Sequence, residues 1–170
     1  MKLIEYLKLE GSPVLILEYD RNDLPGLFKE LGFKIGAEIG VYRGHYSEVL
    51  CQAGLKLYAI DPWLVYKDYA WLRSGEEKME RAYQKSKQRL ARYDCTIIRK
   101  DSMEAVRDFE DESLDFVYID ADHSYDFVMQ DMIIWGRKVR KGGIISGHDY
   151  YYNNEKPGRR AKVTQAVNDY

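Results

Sequence analysis

Five acidic residues recur at one place in five short apolar runs. Glu38 lies in Ile35 to Ile39, Asp61 closes Leu57 to Asp61, Asp101 follows Cys95 to Arg99, Asp120 closes Leu114 to Asp120, and Asp149 follows Gly143 to Gly147. One such acid ordinarily opens a turn or caps a helix. Five on one edge of one sheet are different, because like charges gathered there cost free energy unless a cation or a hydroxyl-rich ligand uses them. The first acid begins Glu38-Ile39-Gly40-Val41-Tyr42-Arg43-Gly44-His45, a glycine-bearing strand-to-helix junction. A dinucleotide fingerprint would want glycine where Tyr42 stands, so that the backbone could approach a pyrophosphate. With Tyr42 in that slot and Glu38 upstream, a phosphate would meet an obstruction and a negative charge. An ammonium and a sulfonium suit the same pair of features. Asp61, 23 residues after Glu38, is placed to accept hydrogen bonds from both ribose hydroxyls. Asp101, followed by a capping Ser102, can reach an adenine amino group. The three positions describe an adenosine-containing cofactor without a phosphate bridge.

Two further pairs stand at the ends of later runs. Asp120 and His123 are three residues apart, within reach of one ligand, and His148 adjoins Asp149. The bland alternatives are a loop histidine hydrogen-bonded to Asp120 or Asp122, and a satisfied His148 under the following aromatic run. His45 opens a helix, where negative charge is preferred, so it reads as a spacer over the glycine turn.

The elements that must position these residues alternate. Helical patterning is expected over Asp23 to Leu31, His45 to Ala53, Gly75 to Tyr93, Ser102 to Phe109, Ser124 to Val139 and Ala161 to Tyr170,. Met79, Tyr83, Ser86, Leu90 and Tyr93 form one face of the third. Ser102 and Ser124 are expected caps. Arg137, Lys138, Arg140 and Lys141 are expected to complement the dipole of a last helical turn that Gly142 and Gly143 then end. Strands alternating with helices imply parallel pairing and a doubly wound, Rossmann-like α/β sheet, whose ligands bind outside the carboxyl ends of the strands. All five acids belong to that edge.

Composition narrows the partners. The chain has 170 residues, 45% hydrophobic and 32% charged, with Lys plus Arg at 26 and Asp plus Glu at 28 for a net charge of -2. One domain over residues 1–170 is expected, without the charge excess that would favour nucleic acid. Lys2, Glu5, Lys8 and Glu10 interrupt any secretory apolar run, and no run approaches the roughly 20 residues of a membrane span,. A soluble cytoplasmic protein is expected. Cys51 and Cys95, without metal-ligand spacing, read as reduced thiols,.

The order of the acids, the Glu-x-Gly-x-x-x-Gly turn, Tyr118-Ile119-Asp120-Ala121-Asp122-His123-Ser124-Tyr125 and Gly142-Gly143-Ile144-Ile145-Ser146-Gly147-His148-Asp149-Tyr150 resemble the class I S-adenosylmethionine-dependent methyltransferases. Within them the chain is most similar to the small-molecule O-methyltransferases of macrocin and catechol type. The resemblance runs from about Leu24 to the end. It implies that Glu38, Gly40 and Gly44 line the methionine part, with Asp120 also on the cofactor, Asp61 on the ribose, and Asp101 with Ser102 on the adenine. It places the catalytic base at His123, where the macrocin type has histidine and the catechol type lysine. An imidazole of unperturbed pKa about 6.5 suits that task. It implies a divalent cation held by Asp120, His148 and Asp149. Carboxylates suit Mg²⁺ or Mn²⁺, and a histidine among them favours Mn²⁺ or another transition ion. The acceptor would be a hydroxyl of a small molecule or saccharide.

Two other readings stay open: a nicotinamide-dependent oxidoreductase using Asp61 for ribose, and a non-catalytic cofactor-binding partial domain. The latter is motivated by the lack of a sixth or seventh strand after Asp149, which makes the domain C-terminally short. A homodimer covering the exposed fifth strand is expected. Trp63 to Ser74, with Tyr66, Lys67, Tyr69, Trp71 and Arg73, could close over the ligands or pack behind the second strand. Tyr150 to Asn154 could wall the acceptor. Arg159 and Arg160 could meet an anionic acceptor or stand exposed in a loop.

Overall fold

The computed structural model describes Glu5 and residues 19–65, 75–150 and 159–170. The element order is α1 (Leu24–Glu30), β1 (Ile35–Ile39), α2 (His45–Gln52), β2 (Lys56–Ile60), α3 (Gly75–Leu90), β3 (Cys95–Ile98), α4 (Ser102–Ala105) running into a 3₁₀ turn (Val106–Asp108), β4 (Leu114–Ile119), α5 (Tyr125–Gly136), β5 (Val139–Gly147) and α6 (Arg159–Asp169). The five strands form one sheet in the order β3-β2-β1-β4-β5. Every pairing is parallel. Among the described residues there is no antiparallel strand. Doubly wound sheets place apolar strands under two layers of helices, and β4 is buried at all six of its positions.

Side-chain alternation along the central strands divides the core between the two faces. Ala37 and Ile39 of β1 and Val117 and Ile119 of β4 pack with Val128, Met132 and Trp135 of α5 and Val163 and Ala166 of α6. Phe116 and Tyr118 of β4 turn the other way and pack with Phe28 of α1 and Tyr46 and Leu50 of α2. In α3 the buried residues are Met79, Ala82, Ser86 and Leu90; Tyr83 of the expected stripe is half-buried, and the helix ends at Leu90, short of Tyr93. Cys51 and Cys95 are free, the first buried and the second half-buried.

The strand order reverses at β1, whose neighbours are β2 on one side and β4 on the other. Their ends abut through backbone. Gly40 has φ +94°, and a Cβ there would meet the Asp120 carbonyl oxygen and lie 2.6 Å from its carbon and 2.8 Å from Ala121 Cα. Only glycine allows this approach at this backbone angle.

The main departure from expectation lies before the fifth strand. The helix predicted to run to Val139 ends at Gly136 with Arg137 as its cap, and β5 begins at Val139. Arg140 and Lys141 therefore complement no helix dipole. Leu114 pairs with Val139 and Phe116 with Ile144, so the four residues from Arg140 to Gly143 bulge opposite Asp115. Arg140 Nε donates to Asp115 Oδ1 at 2.6 Å, while Asp115 Oδ2 accepts from the backbone of Lys34 and Ile35. Gly143 is a close-approach residue rather than a helix stop, since a Cβ would sit 2.5 Å from the Asp115 carbonyl oxygen. At the other end of the chain, Arg159 and Arg160 open α6 instead of standing in a loop, and their side chains lie outside what is described.

Candidate active site at the carboxyl edge

The glycine turn is tied down by Asp61. Its Oδ2 accepts from the backbone N–H of Val41 at 3.0 Å and of Tyr42 at 2.9 Å, and its Oδ1 from that of Trp63 at 2.6 Å. Tyr42 and Trp63 have φ of 51° and 47°, sparsely populated conformations for such bulky residues. Trp63 adds a second tie by donating its indole N–H to the Tyr42 carbonyl at 2.7 Å. Burial pushes the Asp61 carboxyl above its ordinary value, against the lowering effect of the three backbone donors. Gly44 packs against Ser86 and Leu90 of α3 at the head of α2. His45 is exposed.

Glu38 sits beneath this turn rather than on its surface. It is buried and accepts a short hydrogen bond from the Ser47 hydroxyl. Desolvation pushes its carboxyl up to about 8, so it is largely protonated at neutral pH,. Asp101 caps α4, its Oδ1 accepting from Met103 N–H at 2.9 Å. The expected cap, Ser102, is instead the first helical residue. Its hydroxyl bonds the buried Asp131 of α5 and accepts from Trp135 Nε1 at 2.8 Å. Burial pushes the Asp131 carboxyl up to about 6.

The other half of the edge is an ionic cluster. His123 Nε2 lies 3.2 Å from Asp120 Oδ1, and His123 Nδ1 lies 3.3 Å from Asp149 Oδ2. The hydrogen bond to Asp120, reinforced by the charges of Asp120, Asp149 and Asp122 and opposed by burial, raises the imidazole above its ordinary value. Asp120 Oδ2 faces Arg21 Nη1 at 3.3 Å. His148 Nδ1 is 3.7 Å from Asp120 Oδ1 and 3.1 Å from Asp149 Oδ1. Neither approach has hydrogen-bond geometry, and this nitrogen is buried with no hydrogen-bond partner among the described residues. Asp149 itself has φ 63°.

Asp120, His148 and Asp149, expected as the ligands of a cation, are thus brought together, but their arrangement does not fit one. Asp120 turns its two oxygens toward His123 and Arg21, and Asp149 turns its own toward the two imidazoles. The Arg21 guanidinium and the His123 ring already face the oxygens that would turn toward a metal ion. Among the described residues no group of three histidine, cysteine or acidic side chains is arranged to hold a metal.

A cleft of about 750 Å³ opens at the β2–β3 end of the edge, lined by Trp63, Leu64, Val65, Glu76, Glu80 and Arg99. Tyr66, Lys67, Tyr69, Trp71 and Arg73, the expected lid, lie outside the described residues, as do Tyr151 to Asn154 of the expected acceptor wall.

A family profile described as a methyltransferase domain matches residues 37–150, from β1 through the histidine–aspartate pair after β5. The chain belongs to this methyltransferase family. Solved structures share the fold of this methyltransferase domain. The O-methyltransferase TomG from Streptomyces achromogenes, solved in complex with SAM, is 15% identical over 92% of this chain and 70% of its own, with a TM-score of 0.63. Cofactor-bound Rv0187 from MTB is 14% identical over 96% of this chain and 72% of its own, at TM-score 0.65. The O-methyltransferase from Bacillus cereus in complex with SAH is 17% identical over 97% and 72%, at 0.54. No curated protein sequence matches the chain.

Sequence reasoning about this methyltransferase domain missed four residues at the edge. Arg21 precedes the first element and reaches Asp120 across 99 positions, and nothing in its neighbourhood marks it. Ser47 and Asp131 look like ordinary helix positions until the sheet places Glu38 and Ser102 beside them. Tyr118, inside an apolar strand, carries a buried hydroxyl beside the Arg21 guanidinium. Among the described residues, no helix is long and apolar enough to cross a membrane.

Proposed function

We propose that this methyltransferase domain moves the methyl group of S-adenosylmethionine to a hydroxyl of a small molecule or saccharide, with His123 as general base. The observation that carries the proposal is the placement of His123 between Asp120 and Asp149 at the carboxyl end of β4, beside the glycine turn. S-adenosylmethionine supplies an electrophilic methyl on a sulfonium, and transfer to oxygen is an in-line displacement that requires an oriented acceptor and removal of its proton. His123 takes that proton, and the flanking carboxylates stabilise the imidazolium that results. Solvent then receives the proton. The ring must be neutral when the acceptor arrives, so turnover rises with pH through the raised imidazole pKa,.

Support for a cofactor without phosphates comes from the turn. The Val41 and Tyr42 amides, which would cradle a pyrophosphate, already donate to the carboxylate of Asp61. The same feature weighs against a nicotinamide dinucleotide. On this reading Asp61 retains acceptor capacity for ribose, Asp101 and Ser102 border the adenine, and Gly40, Gly44 and Asp120 border the methionine part. Glu38 supports the turn from below. TomG and the Bacillus cereus enzyme, solved with SAM and SAH, share the fold.

The test is transfer of labelled methyl from S-adenosylmethionine to a panel of hydroxylated acceptors by wild type and His123→Ala. The variant is expected to bind S-adenosylmethionine normally and lose about 10²- to 10⁴-fold in turnover, the usual contribution of a positioned base. Unchanged turnover would remove His123 from the mechanism.

A further inference from the structure

Arg21 and Tyr118 form a second polar feature at the β1–β4 switch point. Arg21 lies ahead of α1, yet its guanidinium reaches the end of β4, with Nη1 3.3 Å from Asp120 Oδ2. It is held from two directions: its guanidinium lies over the Tyr46 ring, 5.1 Å from the centroid, and its carbonyl accepts from the Tyr46 hydroxyl at 2.7 Å. The Arg21 side chain is still 40% exposed. A guanidinium carries five N–H donors, and Asp120 takes one of them in this arrangement. Beside it the buried Tyr118 hydroxyl faces the Arg21 guanidinium. The residue itself is fully enclosed, and its hydroxyl feels the charges of both Asp120 and Arg21.

An exposed arginine beside an aspartate offers opposite charges a few ångströms apart. That pattern complements an α-amino acid, whose carboxylate and ammonium are carried on a single carbon. The carboxylate would be repelled by Asp120 alone, so its recognition has to come from the arginine, whose planar fork matches carboxylate geometry. We infer that Arg21, assisted by the Tyr118 hydroxyl, binds the α-carboxylate of the ligand's amino-acid end while Asp120 takes its ammonium. Arg21 thereby selects S-adenosylmethionine over its decarboxylated form. The inference rests on the S-adenosylmethionine reading above and adds a specificity residue to it.

The experiment is calorimetric titration of the full chain with S-adenosylmethionine and with decarboxylated S-adenosylmethionine, which keeps the sulfonium and the amine and lacks only the carboxylate. Wild type is expected to prefer the carboxylated ligand by about 10- to 100-fold, the range of a charge-assisted hydrogen bond. Arg21→Gln should remove most of that preference by weakening only the carboxylated ligand. Arg21→Lys should restore part of it, and Tyr118→Phe should lose a smaller share. A purely structural arginine would change affinity for both ligands alike, so an unaltered ratio in Arg21→Gln overturns the inference. Equal affinity of wild type for the two ligands overturns it as well, whether or not any variant folds. Failure of wild type to bind either ligand contradicts the underlying S-adenosylmethionine reading instead.

Discussion

The two halves of the carboxyl edge solve the same electrostatic problem differently. At the β1–β2 end, Asp61 is neutralised by directional hydrogen bonds from three backbone amides, and Glu38 by protonation under Ser47. At the β4–β5 end, Asp120 and Asp149 face the side chains of Arg21, His123 and His148, and one buried imidazole nitrogen has no hydrogen-bond partner among the described residues. The first arrangement fixes shape, since amides cannot leave without unfolding the turn. The second fixes charge while leaving side chains free to change partners. A binding cradle wants the former, and proton transfer wants the latter.

Substitutions should separate the halves. Gly40→Ala tests the joint between them and carries the largest expected effect. Its Cβ would press on the backbone of Asp120 and Ala121 at a φ of +94°. Destabilisation of more than about 4 kcal/mol in urea unfolding is expected, beyond the usual range for a point change. A cost below about 1 kcal/mol would show that the strand ends do not abut as described. His123→Ala should reduce turnover by about 10²- to 10⁴-fold while altering unfolding by less than about 1 kcal/mol. Asp61→Ala should behave in the opposite sense. It orphans three amides and is expected to cost about 3 kcal/mol of stability, visible in the same unfolding assay. Equal stability losses at Asp61 and His123 would erase the distinction between the halves.

Glu38 provides a pH test of the cradle. Its folded-state carboxyl is pushed up to about 8 from an ordinary value of 4.5. Between those values the folded protein holds a proton that the unfolded chain releases, so stability falls as pH rises. Glu38→Gln keeps a neutral hydrogen-bonding group and should flatten the dependence, so that its melting temperature gains on wild type between pH 5 and about 8. A constant difference across that range would mean that Glu38 is ionised in its buried position. The smallest expected effect concerns the reacting half. The acid limb of turnover should have its midpoint above the ordinary histidine value of about 6.5, because Asp120 and the neighbouring acids favour the imidazolium,. A midpoint below that value would contradict the ionic cluster.

The framework of this edge was legible because each of its parts is local. An apolar run followed by an acid identifies a strand end, and β1 falls on the residues expected of it, Ile35–Ile39. The junction from Glu38 to Gly44 and the pairs Asp120/His123 and His148/Asp149 could be read in the same way. The uses of the acids were less legible, because their partners are fixed by topology. Ser47 is nine residues from Glu38, Arg21 is 99 from Asp120 and Asp131 is 29 from Ser102. The basic run after α5 misleads for a related reason. Lys138 to Gly143 looks locally like a charged helix end with a glycine stop, whereas Asp115, 25 residues upstream of Arg140, recruits that arginine into a strand bulge.

The central claim is that this edge cradles S-adenosylmethionine and sets His123 beside its methyl group. Isothermal titration of the wild-type chain with S-adenosylmethionine tests it most directly. Saturable binding at one site per chain is expected, weakened in Asp61→Ala and retained in His123→Ala. Absence of binding at millimolar ligand, with the protein folded, would contradict it.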